Sequence, residues 1–181
     1  YIHMRAMGRE NLARFLKKLE SEAMGKKALI LDIRFNTGGN VHDQVLAALN
    51  KRAYSTWKMR GLSSTNQPTF NIGDIPIILL TNEYSLSDAE MTANGFKALN
   101  LGTIVGTRTY GWIIFTTGSS LINGAYYRIP FWGCYTLTGE DLETIGGVKP
   151  DVLVVNTVAD RVEGRDPQLE KALELIMEKI K

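Results

Sequence analysis

The sequence predicts an α/β protein built on a parallel sheet, and three observations carry that prediction. Continuous apolar runs at Lys27–Arg34, Ile75–Leu80 and Leu101–Gly106 are too short for buried helices and suit strands covered on both faces. Stretches with apolar residues three and four apart lie between them. The resulting order of strand, helix and strand favours parallel pairing through right-handed crossovers. Composition agrees: 44% hydrophobic and 22% charged residues over 181 positions exclude a disordered, collagenous or disulfide-framework chain. A chain of this size can bury a core without staples, and residues 1–181 are read as one domain.

Tyr1-Ile-His-Met4 reads as a strand entered halfway. With no initiator Met and no leader pattern before it, the chain is expected to be a fragment of a longer one. After Gly8, Leu12, Phe15, Leu16 and Leu19 recur at helical spacing, and Gly25 ends that helix. The first buried strand stops at the turn Asn36-Thr-Gly-Gly-Asn40, after which Val41, Val45, Leu46 and Leu49 mark a second helix. Residues 51–74 have no sustained period and are expected to form an irregular loop or a pair of peripheral strands. A strand over 75–80 then leads into a helix over 85–99 whose apolar positions are Met91, Gly95, Phe96 and Leu99.

Beyond Thr107 the pattern becomes β-rich, with short runs at 112–115, 119–121 and 126–131. Asn123-Gly124 between two of them is a hairpin signal. A last strand is expected over 152–155. Asp166-Pro167 is a good N-cap and first-turn pair for a closing helix with an apolar stripe of Leu169, Ala172, Leu173, Ile176 and Ile180.

Charge and cysteine content narrow the partners. The net charge is +2 and the basic residues are dispersed, so no footprint for nucleic acid is present. Cys134 is alone and forms no internal disulfide. No stretch approaches the roughly 18 apolar residues of a spanning helix, which predicts no transmembrane segment.

Two segments carry chemistry. In Asn82-Glu-Tyr-Ser-Leu-Ser-Asp-Ala-Glu90 a serine sits where a buried strand passes into a helix. There its hydroxyl can project above the sheet while the helix start offers free N–H groups to a developing oxyanion. The same residues also fit helix capping, by Ser87 with Glu90 or by Ser85 with Asp88. In Leu31-Asp-Ile-Arg-Phe-Asn-Thr-Gly-Gly-Asn40 paired glycines follow a strand. They either make the turn or let the backbone approach a substrate closely. Together, at the carboxyl ends of parallel strands, the two segments mark the usual address of an α/β active site.

These runs, followed by Ile-Val-Gly-Thr-Arg-Thr-Tyr-Gly, Gly-Gly-Val-Lys-Pro-Asp151 and Gly164-Arg-Asp-Pro-Gln-Leu-Glu-Lys-Ala172, resemble the tail-specific, or C-terminal processing, serine protease family from about Ile30 to Ala172. The resemblance implies an α/β core of the crotonase/ClpP type that hydrolyses peptide bonds through an acyl-enzyme, without metal or cofactor. Its partner would be a peptide or protein substrate, and a homo-oligomer is compatible with it. Ser87 matches the nucleophile, and Gly38 or Gly39 together with the amide of Ser87 or Asp88 would form the oxyanion hole.

The chain departs from the family's Ser–Lys type at one place. After Tyr110-Gly111, where the base lysine is expected, stands Trp112, which cannot take a proton from Ser87. Lys97 is no obvious substitute. The pattern is more similar to the tricorn protease branch, in which a His from a preceding subdomain is the base and a Glu supports the catalytic network. Glu143, near Gly146-Gly-Val-Lys-Pro-Asp151, fits that Glu. A helix start disfavours an imidazolium at His42, which assigns it a structural role, and His3 is read as a packing or surface residue. The base is therefore expected upstream of Tyr1, and these residues alone are expected to hydrolyse peptides poorly. Competing readings are a non-catalytic peptide-binding or scaffold relative and, more distantly, an acyl-CoA enzyme with the same kind of oxyanion hole.

Overall fold

The computed structural model describes residues 1–181. Five strands, β1 (Ile2–His3), β2 (Leu29–Asp32), β5 (Ile77–Thr81), β6 (Thr103–Gly106) and β9 (Val152–Leu153), lie side by side in that order, every neighbouring pair parallel. Two antiparallel hairpins are inserted between them. One joins β3 (Ser55–Trp57) to β4 (Thr65–Gln67), the other β7 (Phe115–Ser120) to β8 (Tyr126–Trp132). The expected peripheral strands in 51–74 are the first hairpin. In the second, Asn123-Gly124 lies in the turn, and of the two runs expected before it at 112–115 and 119–121 only Phe115, Ser119 and Ser120 fall in a strand, the single β7, while 112–114 form no strand.

Period-2 alternation explains how the sheet is covered. Leu29, Leu31, Ile33, Ile77, Leu79 and Ile104 join one cluster, with Phe15, Val45, Leu49 and Phe96 from α1 (Arg9–Lys18), α2 (His42–Leu49) and α3 (Asp88–Ala98). Residues of the opposite parity, Ile30, Ile78, Leu80 and Val105, pack on Ala172 and Ile176 of α5 (Pro167–Lys179). Both faces are therefore apolar, which is why the strands read as unbroken apolar runs. A π-helical turn, Leu19–Ala23, extends α1 before Gly25 ends it at φ +75°.

Two helical expectations are adjusted, and one helix is added. Leu99 lies beyond α3 and is exposed, and the buried face of that helix is Ala89, Ala93 and Phe96. Leu173 faces outward, and Leu175 packs against the sheet-side cluster instead. A short α4 (Val158–Val162), capped by Thr157, has no buried residue and so no apolar period to announce it. No helix is long and apolar enough to cross a membrane.

Parity also sets the fate of the residues after β2. Asp32 and Arg34 share the α5 face. Arg34 donates to both oxygens of Asp32, to both oxygens of Asp166 at the start of α5, and to Gln168 Oε1 at 2.7–3.1 Å. Asp166 also caps α5 through the amide of Leu169, so the expected N-cap is the far end of an ionic latch to the sheet. Burial raises the Asp166 carboxyl, but hydrogen bonds from Arg34, Asn156 and Leu169 outweigh it and hold it at about 2.

Candidate active site

The loops after β2 and β5 are stitched into one shelf by side chain–backbone bonds. Asn82 Oδ1 accepts from the amides of Phe35 and Tyr84, and the Asn36 carbonyl accepts from the amide of Leu86. Asn36 in turn donates to the Met4 carbonyl and accepts from the amide of Gly38. Ser85 is fully buried and donates to the Ile33 carbonyl, so it braces the shelf and does not cap α3 with Asp88.

This stitching brings the Gly-Gly turn against Ser87. A Cβ at Gly38 would stand 2.7 Å from the Ser87 Cβ, at φ +87°. At Gly39 a Cβ would collide with the Met7 backbone, because the turn pairs with Met7 through Met7 N to Gly38 O and Asn40 N to Met7 O. Both glycines are thus required by close approach. Pairing with Met7 through its neighbours turns Gly39's own N–H the other way, and it makes no hydrogen bond within the chain.

Ser87 is the N-cap of α3 and sits at φ +57°, ψ −121°, a conformation that costs a non-glycine residue about 1–3 kcal/mol. It is held there from two directions: its N–H donates to Glu90 Oε1 at 3.0 Å and points at the Trp112 carbonyl at 3.2 Å. Ser87 and Glu90 have the arrangement of a capping box, with the Ser87 side chain facing the Glu90 amide, but that amide donates to the Ser87 carbonyl at 2.8 Å and the hydroxyl makes no hydrogen bond of full geometry. Cap and exposed hydroxyl thus coexist in one residue. The Ser87 amide is committed, whereas the amide of Asp88, in the first turn of α3, has no partner.

Glu90 does more than a cap requires. Completely buried, it accepts from Ser87 N, Trp112 N, Gly111 N and Thr109 Oγ1 at 2.6–3.0 Å. Four donors on one carboxylate fasten the strained serine to the segment after β6. The capping pattern announced Glu90, but its contacts with 109–112 are 19 or more positions away and carry no local signal.

Asp88 is also buried. Its Oδ2 accepts from the amides of Val41 and His42 at the start of α2, and its Oδ1 meets His42 Nδ1 at 2.5 Å. The expectation drawn from the helix start is reversed. Hydrogen bonding to Asp88 outweighs burial and raises the His42 pKa, since a full carboxylate charge exceeds the partial charge of a helix end. His42 is committed to Asp88, His3 Nε2 faces the Arg34 carbonyl, and Lys97 is paired with Asp151. No basic side chain of the chain is hydrogen-bonded to the Ser87 hydroxyl.

Ser87 opens on a cleft of about 510 Å³ between the Gly39 turn and a wall of Trp112, Ile114 and Thr116, with Arg128 and Pro130 of β8 beyond. A more apolar hollow of about 310 Å³ between α1 and α2 contains none of the motif residues. Glu143 lies in the loop that Arg108 ties down through the carbonyls of Gly146 and Gly147. Its side chain is exposed and makes no hydrogen bond to Ser87, Asp88 or Glu90. No group of three or more His, Cys, Asp or Glu side chains is placed to hold a metal ion.

A strained serine at a strand-to-helix turn, its hydroxyl open to a cleft and two unused amides beside it, is the layout of an acyl-transfer site on an α/β sheet. The sequence matches the profile of peptidase family S41 over residues 1–154, and the chain belongs to that family of serine peptidases. It is 35% identical over 181 residues to the tricorn protease of Thermoplasma volcanium, covering 98% of this chain and 17% of that protein. Identity to the tricorn protease of Thermoplasma acidophilum is 35% over 186 residues, 100% of this chain and 17% of that one. The crystal structure of the tricorn protease superposes with a TM-score of 0.88 at 31% identity, covering 99% of this chain and 18% of that one. The chain thus spans about one-sixth of the length of these relatives.

Proposed function

We propose that the protein is a serine endopeptidase of the tricorn type, with residues 1–181 forming one catalytic core of the crotonase/ClpP kind. The observation that carries this reading is the Ser87 turn: a nucleophile in a strained conformation, its hydroxyl uncommitted, next to the unused amides of Gly39 and Asp88. In the first step a base removes the Ser87 hydroxyl proton, and Oγ bonds to the carbonyl carbon of a peptide. The oxyanion accepts hydrogen bonds from Gly39 and Asp88, because the amides of Gly38 and Ser87 are already used. The C–N bond then breaks, the proton passes from the base to the leaving amine, and water releases the acyl group by the reverse sequence.

The base in this reading is a histidine from a part of the protein that precedes Tyr1. Support comes from the commitment of His3, His42 and Lys97 elsewhere and from Trp112 at the lysine position. Glu143, exposed and without a hydrogen-bond partner for its side chain, is free to steady that base. The experiment is a fluorophosphonate probe on the full-length protein. Labelling and peptide turnover that disappear in Ser87→Ala support the enzyme, while residues 1–181 alone are expected to turn over peptides very poorly. A folded full-length protein that takes no label is instead a peptide-binding relative.

A further inference from the structure

The two amides proposed to meet the oxyanion come from different βα units. Gly39 lies between β2 and α2, and Asp88 opens α3 after β5. Their spacing is therefore set by what ties the loop after β2 to the start of α3. Upstream of the glycines that tie is the Asn36 carbonyl, which holds the amide of Leu86. Downstream of them it is one carboxylate. Asp88 Oδ2 accepts from the amides of Val41 and His42 at 2.7 and 3.1 Å, two and three residues past Gly39, while Oδ1 meets His42 Nδ1. The same aspartate thus supplies one donor from its backbone and anchors the other through its side chain. Asp88 is buried, so its charge depends on these bonds. Among its partners the imidazole is the one that can gain or lose a proton. That ring is 23% exposed and reaches solvent. The charged groups facing it are Asp88, from α3, and Asp43, beside it on α2, with Oδ1 3.5 Å from Nε2.

We propose that His42 is a positioning residue: as an imidazolium it fixes the Asp88 carboxylate against the start of α2 and so holds the Gly39 and Asp88 amides at the spacing the oxyanion needs. The proposal deepens the peptidase reading and rests on Ser87 as the attacking residue. His42 is bonded to Asp88 and not to the Ser87 hydroxyl, so it takes no proton from the nucleophile. Hydrogen bonding to Asp88 raises its pKa, and the charged ring therefore persists above the ordinary 6.5. Loss of the proton leaves a neutral ring that can still donate through Nδ1, which weakens the tie without removing it. Acylation should accordingly slow as pH rises through the folded pKa of His42. The base has the opposite sign: it works in its neutral form and speeds acylation as pH rises. The two effects are thus separable in one pH profile.

The test is the rate of Ser87 labelling by the fluorophosphonate probe on full-length protein across neutral and alkaline pH, with the limiting rate separated from probe affinity. The parent should show a rise as the base becomes neutral and then a fall of about two- to fivefold. His42→Asn keeps a neutral donor and should abolish that fall. His42→Ala removes the donor and should slow the limiting rate about tenfold at every pH with little change in probe affinity, less than the loss of an oxyanion donor outright. Asp43→Asn, at an exposed position, should move the fall slightly to lower pH. An unchanged limiting rate in folded His42→Ala, or a fall that persists in His42→Asn, overturns the proposal. Amide hydrogen exchange on the same proteins separates the two readings, because loss of the tie should speed exchange in residues 37–42 and 86–90 together. If His42→Ala does this but the parent takes no label, the tie stands and the peptidase reading falls. If residues 86–90 keep the parent's exchange, the tie falls whatever the labelling.

Discussion

The loop that leaves β2 feeds two polar sites on opposite faces of the sheet, and they are built to opposite rules. On the α5 face the Arg34 latch satisfies its groups from within: the guanidinium is spent on Asp32, Asp166 and Gln168, and Asp32 also takes the Tyr1 hydroxyl and the Arg34 amide. On the α2–α3 face, Asn36, Asp88 and Glu90 are equally well bonded, yet they hold one hydroxyl and two amides in place with nothing to bond to. Buried donors are ordinarily paired. A shelf that spends this many bonds to keep three groups free is organised around something that arrives later, whereas the latch has no capacity left and serves to hold α5 on the sheet.

That difference is open to attack from the latch side first, where the largest effect is expected. Arg34→Ala leaves the buried Asp32 with the Tyr1 hydroxyl and one backbone amide, and releases Asp166. Removing one partner of a buried pair costs about 3–5 kcal/mol. Urea unfolding should show that loss, while Ser87 labelling of the molecules still folded should change only a few-fold. A collapse of labelling at unchanged stability would mean that the latch belongs to the reaction site.

From the shelf side the prediction is the inverse. Glu90→Gln turns one of the two carboxylate oxygens, each of which accepts from two donors, into a donor facing donors, a cost of about 1–3 kcal/mol or more. Because the carboxylate keeps Ser87 in its strained conformation, labelling should fall by more than that destabilisation accounts for, at least tenfold in molecules that remain folded. Gly38→Ala should act alike, since its Cβ would stand 2.7 Å from the Ser87 Cβ at a φ only glycine takes readily. Normal labelling in Gly38→Ala would show that the glycine only shapes the turn.

The sequence carried these two sites unequally. The serine-helix junction and the glycine pair were legible because each is local: a cap pattern and a turn pattern adjoining strands whose unbroken apolar runs signal burial on both sides. Asp166 was legible as a cap, but not its bond to Arg34, 132 positions away. Glu90 was visible as a capping partner and not as the clamp on Thr109, Gly111 and Trp112. His42 was misjudged electrostatically because its carboxylate partner comes from another βα unit, 46 positions on. What a period or a turn encodes can be read along the chain, whereas what a crossover brings together cannot.

The smallest expected effect separates the two sites by the sign of their pH dependence. Asp166 titrates at about 2 in the folded protein against an ordinary 3.8, so its stabilisation is complete above 3.8 and is lost as pH falls toward 2. With the side chain one-third exposed, solvent screening reduces that contribution to about 1–2 kcal/mol. His42 runs the other way: its folded pKa is raised by Asp88, so its contribution is complete below the ordinary 6.5 and is lost as pH rises through the higher folded value. Stability measured by denaturant from pH 2 to 9 should therefore lose its acid-side slope in Asp166→Asn and its near-neutral slope in His42→Ala. Because Asp88 carries the amide proposed to meet the oxyanion, Ser87 labelling should follow the His42 limb and ignore the Asp166 limb. Labelling that followed both would make the two faces of the sheet one cooperative site, and the contrast between a saturated latch and an open shelf would no longer describe how the molecule works.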